Sequence, residues 1–334
     1  MTSRLRLALV GCGYIAQAEH IPALLGLAPE ITVAATVDPD ATCAAAAAAP
    51  FQAPSFRGFE EALAGASFDA VLIATPAPTH AQLVRLAANA GKHILLEKPI
   101  AYDLEEARAT ITAVRASGVI CMVAYHRRYD DDCLRVKALI DEGTLGAPRA
   151  AVSLCRLVFP SFYRTYAPVP PKATPVPQDL PSDWLAENSI HHINLLRFWL
   201  GEVTAVHSAI YRERNHDLGI VALSCGETLV SHHQLRGMEC GEEISIYGSE
   251  ATLHCELWYP HRPYTHPRIR LFRKEPASRT ELIMPRRNPY ANEIAHFAEL
   301  VVGKAENRST LEDSYRDLVV LRDVLAAATY THQK

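Results

Sequence analysis

Residues 11–16 read Gly-Cys-Gly-Tyr-Ile-Ala and follow directly on an apolar run, Leu7–Val10, that closes a segment opening at Arg4. Such a run fits a buried parallel strand. A helical pattern starts in the turn and continues through His20 and Leu24 toward Leu27. Ile31–Val37 then reads as a second, β-branched strand ending in Asp38, 22 residues after Ala16. Few folds accept strand, glycine turn, helix, strand and acid in this order. Gly11 permits a tight turn, Gly13 lets backbone approach a pyrophosphate, and Ala16 is small enough for the helix to pack on a sheet. The helix start at Tyr14 and Ile15 offers N–H groups and a positive dipole end to phosphates. Asp38 can accept hydrogen bonds from an adenosine ribose and would repel a 2′-phosphate. No Arg or Lys follows it closely, since Pro39 and Asp40 come next. The expected cofactor is therefore NAD.

The alternation continues. Residues 41–49 and Glu60–Leu63 read as helices, and Asp69–Ala74 as a strand broken by Thr75-Pro76-Ala77-Pro78. Thr79–Ala90 is a helix closed by Gly91, Ile94–Leu96 a strand running into Glu97-Lys98-Pro99, Asp103–Ala116 a helix, and Val119–Ala124 a strand. Strands alternating with helices predict an α/β fold with a doubly wound Rossmann domain over residues 1–124. Ligands of such sheets bind beyond the carboxyl ends of the strands, which places Thr75-Pro76 and Lys98 at a site on position alone. From Val203 on, short alternating runs at 203–212, 218–224, 227–235, 243–248, 251–257 and 268–273 predict an antiparallel sheet with one wet face. Residues 290–303 and 311–329 read as helices returning to the domain junction. Residues 125–334 are thus expected to form an α+β domain.

Composition narrows the partners. With 334 residues, 49% apolar and 21% charged, the chain can build a sizeable core without staples. A net charge of −4 gives no reason to expect nucleic acid or an anionic membrane. The run Leu7–Val10 is too short for a signal peptide, and nothing approaches a membrane span. The eight cysteines form no CxxC pair and read as reduced thiols, so a cytoplasmic location is expected. The adjacent pairs His191-His192 and His232-His233 cannot each face one ligand, and no HExxH occurs, so no metal is expected.

The chain resembles the glucose–fructose oxidoreductase, inositol dehydrogenase and rhizopine-catabolism (Gfo/Idh/MocA) family. The matching segments are Gly11–Ala16, Ala74-Thr75-Pro76 with His80, Ala90-Gly91-Lys92-His93 leading to Glu97-Lys98-Pro99, Tyr125–Tyr129, Glu142–Gly146, Glu187–Gly201 and Tyr290–Phe297. The resemblance implies a C-terminal domain built on a large open, mostly antiparallel sheet, through which members associate as homodimers or homotetramers. It places the family's lysine on Lys98, its histidine on His191 and its acid, usually Asp, on Glu187. A common glycine is Ser189 here, and a later Asp is Asn194.

Segment 184–200 suits an amphipathic helix closed by Gly201, and Glu187, His191 and Asn194 at i, i+4 and i+7 would share a face. Taking hydride from a carbinol carbon requires a base on the hydroxyl proton. His191 suits that role by its ordinary pKa, with Glu187 orienting it and Lys98 stabilising the alkoxide. A Lys98 whose pKa is lowered by burial is the alternative base. Asn188, Tyr125, Arg127 and Tyr163 complete the candidate substrate residues, and Arg127 serves equally well as a salt-bridge residue. The stretch Phe159–Pro181 holds seven prolines and reads as an irregular loop: a substrate lid, an oligomer arm or plain surface. The expected function is interconversion of a secondary hydroxyl and a ketone on a sugar or cyclitol. Two alternatives remain: a glycosidase- or epimerase-like enzyme that retains NAD, and a non-catalytic sensor.

Overall fold

The computed structural model describes residues 4–157, 188–212, 218–236, 241–257, 266–285 and 287–331. They divide into two compact units. The first takes the described residues up to His126 and from Asn288 to Leu318; the second takes those from Arg127 to Arg287 and from Val319 on. The helices are α1 (Ile21–Gly26), α2 (Ala41–Ala48), α3 (Phe59–Gly65), α4 (His80–Asn89), α5 (Leu104–Ser117), α6 (Asp131–Asp141), α7 (Ile190–Leu200), α8 (Pro289–Val301) and α9 (Leu311–Ala326).

In the first unit, β1 (Leu5–Val10), β2 (Ile31–Val37), β3 (Ser55–Phe56), β4 (Ala70–Ile73), β5 (His93–Glu97) and β6 (Cys121–Ala124) form one sheet in the order 3-2-1-4-5-6. Every neighbouring pair is parallel. Parallel strands covered on both faces need side chains that are apolar throughout, and Leu7, Ala8 and Leu9 are fully buried, as is all of β4. α5 begins and ends at the signals in its sequence. Asp103 caps α5 by accepting from the Glu105 and Glu106 N–H groups at 2.8 and 2.9 Å, and Gly118 ends it at φ 71°. Two features were not expected. β3 is a two-residue edge strand, too short to leave a period. The turns at Ala16–His20 are π-type before α1 takes over.

The second unit is a nine-stranded sheet of β7 (Pro148–Leu157), β8 (Val203–Tyr211), β9 (Leu218–Cys225), β10 (Thr228–Arg236), β11 (Gly241–Gly248), β12 (Ala251–Glu256), β13 (Arg268–Arg273), β14 (Ser278–Ile283) and β15 (Ala328–Tyr330). The order is 14-13-12-11-7-10-9-8-15, antiparallel except for the pairs β7/β10 and β8/β15. This is the open, mostly antiparallel sheet that the resemblance implies. α7 and α6 are joined where Trp199 Nε1 donates to the Cys133 carbonyl at 3.0 Å. On the opposite face Ile210, Ile220, Leu229 and Tyr247 are exposed, with Ile210 directly beside Ile220.

The sequence reading passed over α6, β7, β14 and β15. In β7 the inward residues are Ala151, Ser153 and Cys155 while Val152 and Leu154 are only half-buried, so hydropathy does not alternate in step with burial. β14 is an exposed edge strand whose Arg279 and Glu281 suit such a margin. The helix expected over 311–329 stops at Ala326, and its last residues pair with β8. No helix among the described residues is long and apolar enough to cross a membrane.

Candidate active site

The strand order reverses between β1 and β4, and there the first unit concentrates its special backbone. Gly11 has φ +92°, and a Cβ on it would stand 2.6 Å from the Ala74 carbonyl oxygen and 2.7 Å from Thr75 Cγ2. Only glycine fits. Gly13 is exposed, and a Cβ there would meet nothing within 4 Å, which leaves the backbone open to approach. Tyr14 and Ile15 open the helix and are half-buried, and its first turn bonds back to the Gly13 carbonyl, a residue with no side chain to cap it. Asp38 ends β2 with a carboxylate that accepts from the Cys12 and Asp40 N–H groups, both at 2.9 Å. A dinucleotide fits this donor set: an uncapped helix start after the glycine turn for the pyrophosphate, and a carboxylate at the next strand end for a ribose. The structure adds a residue that the sequence reading lacked. Arg57, just past β3, donates through Nε to the Pro39 carbonyl at 3.2 Å, so a guanidinium lies beside the Asp38 turn.

Across the switch point, His80 ties two strand ends together. Its Nε2 lies 2.8 Å from the Thr75 carbonyl and its Nδ1 2.8 Å from the Pro99 carbonyl. Pro76 is exposed and Ala74 buried. Glu97 ends β5, buried. Its Oε1 lies 2.8 Å from His20 Nε2, and its Oε2 accepts from the Lys98 N–H at 3.1 Å. Burial pushes the Glu97 carboxyl up, but the His20 contact, with help from Lys98, outweighs it and holds the group below its ordinary value. Lys98 is half-buried and directly follows this clamped residue.

His20 reaches Glu97 from the π-type turns, and the same turns carry Glu19, which is buried. Burial, reinforced by the negative Glu97, pushes the Glu19 carboxyl up to about 7. In the fold Glu19 keeps a proton that an unfolded chain releases near 4.5. Its stabilising contribution is full below that pH and declines as pH rises toward 7. Glu19→Gln retains the neutral form. The variant should gain thermal stability over the wild type at pH 8, by about 1–3 kcal/mol, and gain little at pH 4.5. Equal differences at both pH values in calorimetry would contradict this.

In the second unit, His191 lies half-buried in the first turn of α7, and Asn188 is half-buried just ahead of it. Asn194, expected to share the face of His191, is buried and accepts from Arg128 Nε at 2.7 Å. The guanidinium of Arg128 also lies 5.1 Å from the Phe198 ring centroid. Arg127 is buried, donating from Nη1 to Asp130 at 3.2 Å and from Nη2 to Glu242. Burial works against the Arg127 charge, and the two acids more than restore it. Tyr125, in the first unit, is buried with its hydroxyl 3.1 Å from Ser314 Oγ. Glu187, Tyr163 and the proline-rich stretch 159–181 lie outside the described residues.

The switch-point glycine turn and the acid closing the next strand are the arrangement by which a doubly wound sheet receives a dinucleotide. Residues 5–125 match the oxidoreductase family described by its NAD-binding Rossmann fold, and residues 183–332 match that family's C-terminal alpha/beta domain. The chain belongs to the Gfo/Idh/MocA oxidoreductase family. It is similar to the inositol 2-dehydrogenase of Rhizobium meliloti (strain 1021), with 29% identity over 323 residues and 90% of each chain covered. It is also similar to the dTDP-3,4-didehydro-2,6-dideoxy-alpha-D-glucose 3-reductase of Streptomyces violaceoruber, at 28% identity over 89% of this chain and 85% of that one. Among solved structures, a 3-ketoreductase from Actinomadura kijaniata in complex with NADP and TDP-benzene matches with a TM-score of 0.79. That likeness covers 99% of this chain and 100% of the other at 21% identity, and it establishes the fold.

Proposed function

We propose that the chain interconverts a secondary hydroxyl and a ketone on a sugar, sugar derivative or cyclitol, using NAD. The observation that carries this reading is the similarity, over most of both chains, to a cyclitol dehydrogenase and a ketosugar reductase; Lys98 and His191 are the residues on which the resemblance puts the family's lysine and histidine. Bound nicotinamide supplies the hydride acceptor, or the donor in reverse. The chain's own groups handle the proton and the charge. His191 accepts the hydroxyl proton as the carbinol carbon gives up hydride. The Lys98 ammonium donates a hydrogen bond to the same oxygen and stabilises its developing negative charge. In reduction, Lys98 polarises the ketone and His191 returns the proton. Glu187 orients His191 in this reading, with Asn188, Tyr125, Arg127 and Tyr163 as further candidate substrate residues. The test is turnover: NADH formation with inositols, against NADH consumption with nucleotide-linked ketosugars. A protein that binds NAD yet turns over no polyol or ketosugar would overturn the reading.

Cofactor choice sets Asp38 against Arg57. In this reading the carboxylate faces the adenosine ribose, where a 2′-phosphate would meet like charge. Arg57 is exposed at the turn's edge. We infer that the carboxylate prevails. Fluorescence titration should show NADH bound at least about tenfold tighter than NADPH, a difference of about 1.4 kcal/mol. Arg57→Ala should weaken NADPH alone. Equal or tighter NADPH binding by the wild type would refute the preference. The exposed Ile210, Ile220, Leu229 and Tyr247 support association of this chain with copies of itself through the second unit's sheet.

A further inference from the structure

The inner face of the second unit's sheet is polar at one place. Cys155 on β7 stands opposite Glu242 on β11, so both side chains point to the same face. His192, in the first turn of α7, reaches down to them. One donor atom from each of the three residues lies within 4.8 Å of the other two, and all three residues are buried. His192 Nε2 is 3.4 Å from Glu242 Oε2 and makes no hydrogen bond. Its other nitrogen, Nδ1, lies 2.7 Å from Ser153 Oγ.

We propose that Cys155, His192 and Glu242 form a binding site for one divalent transition-metal ion, Zn²⁺ in chemical type. Thiolate, imidazole and carboxylate together suit zinc better than magnesium or calcium, which take oxygen alone. Bonds of 2.0–2.3 Å at a tetrahedral angle set donors about 3.5 Å apart, so the trio closes on an ion with a contraction of roughly 1 Å. The contact of Ser153 with Nδ1 is the outer-shell arrangement that fixes a ligating histidine, leaving the lone pair on Nε2. The same hydroxyl lies 3.0 Å from Nδ1 of His232, whose ring centroid is 5.3 Å from that of His192. Each adjacent histidine pair therefore sends one member inward, and the two inward rings come from different elements, α7 and β10. No further described donor joins the set, so the fourth position falls to a water.

Charge and protons balance. The ion displaces the Cys155 thiol proton to solvent, His192 binds as the neutral ring, and Glu242 binds as carboxylate. One thiolate and one carboxylate neutralise the dication. Glu242 keeps its contact with Arg127, whose second partner is Asp130. The ion would pin the first turn of α7, the turn that carries His191, to β7 and β11.

The experiment uses the full chain, freed of metal by a chelator and exchanged into chelator-free buffer. Zn²⁺ should bind at one equivalent per chain by elemental analysis and raise the melting temperature. Co²⁺ should give a thiolate-to-cobalt charge-transfer band in the wild type and in Cys225→Ser, a control at another buried thiol, but not in Cys155→Ser. Ser153→Ala should retain the site with affinity about tenfold to a hundredfold weaker. A wild type that takes up no stoichiometric zinc or cobalt overturns the proposal even if every variant fails to fold. A cobalt band that survives Cys155→Ser also overturns it. Neither readout involves turnover, so the result is independent of the proposed reaction.

Discussion

Replacing Lys98 by Ala is expected to lower kcat by about 10²–10⁴-fold while leaving NAD affinity close to that of the wild type. His191→Ala should behave in the same way. The reasoning separates two jobs. In the proposed reading the glycine turn and Asp38 serve the pyrophosphate and ribose. In the same reading Lys98 and His191 serve the oxygen that changes charge during reaction. Neither serves the other purpose, so a loss of turnover without a loss of binding is the specific signature. The clamp beneath Lys98 sharpens the expectation. Glu97 accepts from the Lys98 backbone N–H, and His20 holds Glu97 from the other side. Removing the Lys98 side chain leaves that clamp in place, so the loss reports chemistry and not collapse of the strand end. Cofactor affinity comes from fluorescence and kcat from single-substrate kinetics. Turnover within about tenfold of the wild type for either variant would remove that residue from the acid–base step.

Arg127→Ala should destabilise the protein by about 3–5 kcal/mol, measured as urea unfolding of the chelator-treated protein. Arg127 is 2% exposed, and its guanidinium faces Glu242 and Asp130. Burial and the neighbouring Asp132 push the Asp130 carboxyl up against the pull of Arg127, and Glu242 makes the closer contact with the guanidinium. Removing the cation leaves that carboxylate in a dry interior with its compensation gone. Glu242→Gln in the Arg127→Ala background should recover part of the loss, because the orphaned group is then neutral. A single-variant loss under about 1 kcal/mol would show that solvent reaches this site and that the pair is worth no more than a surface ion pair.

What the sequence revealed and what it hid follow one physical division. The parallel sheet was legible because every layer of it repeats one requirement, apolar residues covered on both faces and broken by glycine or proline turns. Gly11, Asp38 and Lys98 stood out because chemistry at a strand end needs rare residue types at fixed offsets from that end. β7 was missed because its inward positions are Ser153 and Cys155, chosen for polar contacts instead of hydropathy. Arg57 was missed because it reaches the Asp38 turn from another strand, 19 residues along the chain. Arg128 was bound to Asn194 by a contact between elements 66 residues apart, which no local spacing encodes. Glu19 gave no trace either: its burial follows from the π-type turns, and nothing in the residues 16–20 announces a departure from the α-helix.

The polar patch on the inner face of the second sheet also limits how this protein can be recombined with relatives. Ser153 serves His192 and His232 together, Glu242 serves Arg127 as well as facing His192, and Gln234 donates to Ser189 just ahead of α7. Four segments, β7, α7, β10 and β11, thus share one set of directional bonds. A chimaera that imports the helix carrying His191 without its three underlying strands would strand buried donors and acceptors with no counterpart. The module that can be exchanged without breaking those bonds is the helix together with those strands.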